Sequence, residues 1–407
     1  MNVLHTSDWH LGRMLYTKKE RTEEHSKFLQ WLLDIIKMNA IDILLIAGDI
    51  FDSTAPGNIS LKMYYDFLLQ VRNSGCSHVV IVGGNHDSPS LLDAPKEILS
   101  VLNVNVIGKA CENTENEVFT LTDKDDKPLA IICAVPFLRE RDISKYIENE
   151  TYSDRSKRIA ECIKKHYEAV AEIAKNRQNE LEQSVPIIAM GHLSVAGGKT
   201  TADDGVRETY IGSVECIGNE IFPPDFDYVA LGHYHITSEI NNFVRYCGSP
   251  LPMGFGEANQ QKNVIIVEFE KGNKIITEIS VPVFQKLKSI VGDKDFISNE
   301  LLQLKASGES VWVEIVYDGN EIFADFAAWI AEQVENTQVE VLKIQNKQYL
   351  DKVLTLEDKV KSLEELNEYD VFDKLLVDKD FPDEQKLELR DLYREIINKM
   401  NEKDDEE

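Results

Sequence analysis

Five apolar runs along the chain each end in residues that ligate metals. Val3-Leu4-His5-Thr6 leads to Asp8-Trp9-His10, and Ile43–Ala47 leads to Gly48-Asp49. Residues 79–82 lead to Gly83-Gly84-Asn85-His86-Asp87, residues 187–190 to Gly191-His192, and residues 228–231 to Gly232-His233-Tyr234-His235. A run that is apolar at nearly every position reads as a strand buried on both faces, the habit of parallel sheets. Open α/β sheets hold their ligands beyond the carboxyl ends of such strands. The glycines fit a backbone that turns sharply there.

Between these runs the period changes. Residues 20–39 carry Phe28, Trp31, Leu32, Ile35 and Ile36 at helical spacing, and residues 60–74 repeat this with Leu61, Tyr64, Tyr65, Leu68 and Val71 before a capping Gly75. Strand, helix, strand predicts parallel pairing through crossovers. From Val104 the strand signals come closer together, at 104–107, 117–121 and 129–135, and a second sheet is expected to begin there. A long polar helix over 154–183 follows, with His166 read as a surface residue, and then strands at 245–247, 263–270 and 274–281. The fold class predicted is α/β, two stacked sheets flanked by helices over residues 1–283.

Beyond residue 283 the pattern resets. Residues 311–317, 323–334 and 339–344 read as strand, helix, strand, a small α/β module within 284–347 that has no metal-type residues. Residues 348–407 read as acidic helices, the last carrying Leu389, Leu392, Tyr393, Ile396, Ile397 and Met400 as a stripe that faces its own chain or a partner.

Composition narrows the class. The chain has 407 residues, enough for two or three domains, and 43% hydrophobic content supports a packed core. Met1-Asn2-Val3 enters the first strand directly and no run approaches membrane-spanning length, so a cytoplasmic protein is expected. Cys76, Cys111, Cys133, Cys162, Cys216 and Cys247 have no CxxC spacing and read as reduced thiols. The net charge of −27 opposes any simple grip on a phosphate backbone. Residues 351–407 alone hold 20 acidic against 10 basic side chains, a net of −10.

The chemistry lies in the set. Asp8, His10, Asp49, Asn85, His192, His233 and His235 at neighbouring strand ends would crowd carboxylates that repel unless a cation neutralises them. Mixed imidazole and oxygen donors suit Mn²⁺, Fe²⁺ or Zn²⁺ better than Mg²⁺ or Ca²⁺. Seven donors with one carboxylate shared supply two divalent metal ions, the arrangement used in phosphoester hydrolysis. His86 then has no ligand duty and can donate to a phosphate oxygen or protonate a leaving alkoxide. Asp87 is expected to orient a histidine from behind. Arg13, Lys18, Lys19, Lys199 and Arg207, in loops after these strands, could touch phosphate or simply face solvent.

Asp8-x-His10, Gly48-Asp49, Gly84-Asn85-His86-Asp87, Gly191-His192 and Gly232-His233-x-His235, in this order, resemble the calcineurin-like metallophosphoesterase superfamily. Residues 4–12, 47–52, Pro136-Phe137-Leu138-Arg139 and 245–250 resemble its bacterial DNA-nuclease branch over essentially the whole chain. The resemblance implies one ion on Asp8, His10, Asp49 and His235, another on Asp49, Asn85, His192 and His233, Mn²⁺ as activator and His86 as the catalytic histidine. It implies a capping domain that helps select DNA, terminal helices docked on an ABC/SMC-type ATPase, and a homodimer in a two-plus-two assembly at the nucleoid. Leu61, Met63, Tyr64 and Phe67 are candidates for the dimer face, or for the core. The implied activity is double-strand exonuclease and single-strand or hairpin endonuclease action in DNA repair, recombination and replication. At Asp52 some relatives carry a histidine, so no catalytic role is transferred there. Other readings are a phosphodiesterase acting on a small ester and a non-catalytic scaffold for the ATPase.

Overall fold

The computed structural model describes residues 1–145, 147, 150–199, 217–270, 272–319 and 325–346. The elements run β1 (Asn2–Thr6), α1 (Thr22–Met38), β2 (Ile43–Ala47), α2 (Asn58–Arg72), β3 (His78–Val82), β4 (Val104–Ile107), β5 (Val118–Thr122), β6 (Pro128–Ala134) and α3 (Tyr152–Glu180). There follow β7 (Ile187–His192), β8 (Tyr228–Gly232), β9 (Ser238–Glu239), β10 (Val244–Tyr246), β11 (Asn263–Glu270) and β12 (Asn273–Ser280). The last group is β13 (Lys286–Gly292), α4 (Lys294–Ser307), β14 (Val311–Tyr317), α5 (Phe326–Val334) and β15 (Val339–Asn346).

Two six-stranded sheets stack, in the orders β12-β11-β1-β2-β3-β4 and β9-β10-β8-β7-β6-β5. The period of two explains why their strands look apolar throughout. Val3, Ile43, Leu45, Val80 and Val82 meet Ile132, Ile188, Met190 and Ala230 between the sheets. The alternate residues Leu4, Leu44, Ile46 and Ile81 pack beneath α1 and α2, while Ile131, Ile187, Val229 and Leu231 pack beneath α3. Of the dimer-face candidates, Tyr64 and Phe67 are buried in this core, while Leu61 and Met63 pack against it and stay half-buried.

Two assignments differ from the expectation. Residues 104–107 pair parallel to β3 and complete the first sheet, so the second begins only at Val118. The hairpin of β11 and β12 also returns to the first sheet, where β11 runs antiparallel to β1 and covers its open edge. Spacing along a chain reveals strands but not which edge they join. His166, expected at the surface, lies against the fully buried Glu117 with its Nε2 2.6 Å from Oε2. A buried carboxylate without a partner is costly, which explains why an imidazole in a polar helix turns inward.

The third sheet, β13-β14-β15, is wholly parallel and covered by α4 and α5. It has one more strand and helix than the pattern predicted. In β13 only Leu287 and Ile290 are buried, too weak an alternation to signal a strand. A small cluster of Leu15, Phe255, Leu287, Trp312 and Leu342 joins this module to the first. Lys18 Nζ donates to the Leu342 carbonyl at 2.7 Å, and Lys19 pairs with Glu340 at 2.6 Å above the Trp312 ring. These two lysines, candidates for phosphate contact, therefore serve this seam. Lys199 is exposed. Arg207, Cys216 and the acidic segment 348–407 with its apolar stripe lie outside the described residues. The other five cysteines are unpaired thiols, as expected. Among the described residues no helix is long and apolar enough to cross a membrane.

Candidate metal centre

The strand ends meet across the two sheets rather than along one rim. Asp8 and His10 follow β1, Asp49 follows β2 and Asn85 follows β3, all in the first sheet. His192 ends β7, and His233 and His235 follow β8, in the second. Polar bonds stitch the seam. The His233 N–H donates to the Asp8 carboxylate at 3.0 Å, and His192 Nδ1 lies 2.9 Å from the Ala47 carbonyl. That bond keeps a proton on His192 Nδ1 and turns Nε2 into the centre, 2.9 Å from Asn85 Oδ1 and 3.2 Å from Asp49 Oδ2. Burial would lower this imidazole, but the Asp49 carboxylate beside it raises it to about 9. His233 Nδ1 is 3.1 Å from the same Asn85 oxygen. Ligand atoms lie within 4.8 Å of one another in three buried sets: Asp8, His10 and His235; His10, Asp49 and His86; and Asp8, Asp49 and His192.

The backbone is bent to achieve this. Asp8, His10, Asp49 and His233 have φ of 52°, 47°, 49° and 100°, the left-handed region that side chains rarely adopt. Strain of that kind persists only where surrounding structure enforces it. The glycines contribute mainly through size. Gly48 does turn through φ 87°, but a Cβ on Gly84 would sit 2.1 Å from Asp49 Oδ1, and one on Gly232 would sit 1.9 Å from the Ala47 carbonyl oxygen. Close approach, more than sharp turning, requires them.

Burial and charge oppose each other here. Burial raises the Asp8 carboxyl, against the pull of the His192 and His235 imidazoles. Burial would raise Asp49 too, but the His192 imidazole beside it holds it well below the usual range. His10 and His233 are pushed down by burial to about 4 and about 3, so both are neutral imidazoles, the form that ligates. The His10 ring is fully buried, with Nδ1 toward Asp52 and Nε2 without a hydrogen-bond partner. Converging imidazole nitrogens and carboxylate oxygens, all sealed from water, fit a divalent cation with mixed N and O donors.

His86 stands at the edge of this group, 5% exposed, its ring 4.8 Å from that of His10. Its backbone N–H donates to Asp49 Oδ1 at 2.8 Å, and its Nδ1 lies 3.0 Å from the Asp52 carbonyl. Asp87 does not orient a histidine as expected. Its buried carboxylate accepts the N–H groups of Gly84, Ile50 and Phe51, at 2.9, 3.2 and 3.0 Å, and so ties the Asp49 loop to the Asn85 loop. The carboxylates nearest to histidine nitrogens are others. Asp52, held by Arg13 at 3.0 Å, is 3.3 Å from His10 Nδ1, and Glu257 is 3.6 Å from His235 Nδ1. No spacing signal marked Glu257. Arg139 was also without an assigned role. Its Nη2 donates to the carbonyls of Gly84 (3.4 Å) and Asp87 (3.1 Å), bracketing Asn85 and His86, while Phe137 packs edge-on to His192.

Comparison with known proteins places this arrangement. The calcineurin-like phosphoesterase family matches residues 1–237, and the family described as type 5 capsule protein repressor C-terminal domain matches residues 283–379. The SbcD component of the SbcCD nuclease of Escherichia coli K12 is 33% identical over 407 residues, covering 98% of each chain. The corresponding SbcD protein of Rhodobacter capsulatus is 31% identical over 279 residues, 67% of each chain. That of Bacillus subtilis is 29% identical over 279 residues, 67% of this chain and 68% of its own. The chain therefore belongs to the calcineurin-like phosphoesterase family and, within it, to the group formed by the SbcD components of SbcCD nucleases.

Proposed function

We propose that this chain is the DNA-cleaving component of an SbcCD nuclease, a metal-dependent hydrolase of phosphodiester bonds that works with an SbcC-type ABC ATPase in DNA end processing, repair and recombination. One observation carries the reading: buried imidazole and carboxylate ligand atoms from two sheets converge on one seam, with His86 beside His10 and Asp49 at its edge. Asp8, His10, Asp49 and His235 would hold one ion, and Asp49, Asn85, His192 and His233 the other; the donor set suits Mn²⁺, Fe²⁺ or Zn²⁺, and the family resemblance favours Mn²⁺. Such ions supply Lewis-acid activation of water and neutralise charge at phosphorus.

The chain's own groups complete the site. With Nδ1 of His86 donating to the Asp52 carbonyl, Nε2 is the nitrogen that exchanges a proton with the ester. Asp87 and Arg139 keep that turn in register with Asp49. Residues 1–283 form the nuclease domain, residues 284–347 the cap that selects DNA, and residues 348–407 the segment that docks SbcC in a two-plus-two assembly at the nucleoid, in the cytoplasm.

The test is Mn²⁺-dependent cleavage of a hairpin-ended duplex, with and without the ATPase partner and ATP, alongside a generic small phosphodiester. His86→Gln is expected to abolish cleavage while keeping fold and bound metal. Turnover of the small ester without DNA cleavage under either condition would refute the reading.

A further inference from the structure

One ion pair in the interior has no part in the chemistry above. Glu257 and Lys262 are 0% and 5% exposed and lie 2.5 Å apart. A buried pair of this kind adds little net stability over apolar side chains of equal volume, because both charges are taken from water. Besides Gln260, whose Oε1 accepts from Lys262 Nζ at 3.4 Å, its contacts gather about one residue, His235. Lys262 Nζ donates to the His235 carbonyl at 2.8 Å and to Ser249 Oγ at 3.2 Å, and the Ser249 N–H donates to that same carbonyl at 3.2 Å. Glu257 Oε2 also accepts the Met253 N–H at 2.9 Å. Glu257 Oε1 has no hydrogen-bond partner and faces His235 Nδ1 at 3.6 Å. One pair thus grips the backbone and faces the ring of the same histidine. A carboxylate on one imidazole nitrogen fixes the tautomer and directs the other nitrogen at a metal.

We propose that Glu257 and Lys262 are positioning residues for His235, and that they set the metal affinity of the position built from Asp8, His10 and His235 without setting that of the position at Asn85, His192 and His233. The inference rests on the two-ion reading of the centre. Asp52 takes the corresponding place beside His10 but is half-buried and shared with Arg13. Glu257 is the only one of these two carboxylates that is sealed from solvent, so its loss cannot be made good by water.

Calorimetric titration of the metal-free full-length chain with Mn²⁺, read together with the electron paramagnetic resonance signal of the bound ions, tests this. The unsubstituted chain should bind two ions. Glu257→Gln should weaken one of them about 10–100-fold and leave the other within about twofold. Glu117→Gln is the control, because Glu117 is equally buried and paired with a histidine outside the metal centre. If Glu257→Gln and Glu117→Gln both lower the melting temperature and neither changes Mn²⁺ affinity, the pair is structural and the proposal is overturned. Glu257→Asp covers the case in which Glu257→Gln fails to fold. It keeps a charge for Lys262 but withdraws from His235, so selective weakening is expected again and unchanged affinity refutes. Fewer than two ions bound by the unsubstituted chain would overturn the two-ion reading itself, separately from the role of Glu257.

Discussion

His25 makes the acid sensitivity of the first sheet measurable at one residue. It lies on the buried face of the first turn of α1, with Nε2 3.1 Å from the Trp9 carbonyl and Nδ1 without a partner. Nε2 therefore carries the proton, and a second proton on Nδ1 would create a buried, unpaired donor near Arg21. Burial, with the Arg21 charge adding to it, pushes the imidazole down to about 3. An unfolded histidine titrates near 6.5. The native state therefore binds fewer protons than the unfolded chain, and stability rises with pH. His25 contributes fully above about pH 6.5, and that contribution drains away as pH falls toward the folded value. Between pH 7.5 and 5.5 the loss is about 1.4 kcal/mol, the free energy of protonating an unfolded histidine roughly tenfold at the lower pH. The figure hardly depends on how far the folded value lies below about 4.5. His25→Gln keeps an amide N–H for the Trp9 carbonyl and removes the titration. Urea unfolding followed by far-ultraviolet circular dichroism, in chelator, should show a loss of stability from pH 7.5 to 5.5 smaller by about 1.4 kcal/mol in the variant. Equal losses in the two proteins would show that His25 is protonated at no cost in the native state, and the burial argument would fail.

Two further outcomes follow from the packing at the metal centre. Gly232→Ala puts a methyl 1.9 Å from the Ala47 carbonyl oxygen and 2.8 Å from His192 Nδ1, so thermal unfolding should reveal a loss of about 1–3 kcal/mol together with weakened Mn²⁺ binding. Unaltered Mn²⁺ binding would mean that the sheets can separate without disturbing His192. Arg139→Gln frees the carbonyls of Gly84 and Asp87, and kcat on hairpin DNA should fall about 10–100-fold with KM little changed, as the His86 turn drifts from register. A change in KM alone would place Arg139 on the substrate rather than behind the turn.

The strands were legible in the sequence because both faces of each are buried, which leaves long apolar runs at 43–47, 79–82 and 228–231. Their grouping into sheets was not legible. Residues 104–107 and 263–270 have the same local pattern as second-sheet strands, and only the open edges beside β1 and β3 decide where they pair. The metal-type residues were legible because each ends such a run. Their supports were harder to see, since Glu257 and Asp52 act from loops whose position depends on the whole fold. Asp87 shows the same limit from the other side. Its place beside His86 suggested a histidine partner, yet three backbone N–H groups that point inward at the strand ends claim it first.

The use of cations along the chain bears on the partner. Arg13 is held by Asp52, Lys18 and Lys19 fasten the first module to the third sheet, and Arg139 braces the His86 turn. Four basic groups close to the metal strands in sequence are thus committed to internal contacts. In a chain of net charge −27 these four are thereby withdrawn from meeting a polyanion, while Lys199 stays exposed among the described residues. On the proposed function, bound divalent ions or another protein would supply much of the attraction for DNA. The two sources differ in their response to salt: a partner that neutralises many phosphates gives a steep loss of affinity with ionic strength, whereas ions at a single site engage few phosphates and give a shallow one. A steep salt dependence that appears only when the ATPase is present is therefore what the proposed division of labour requires.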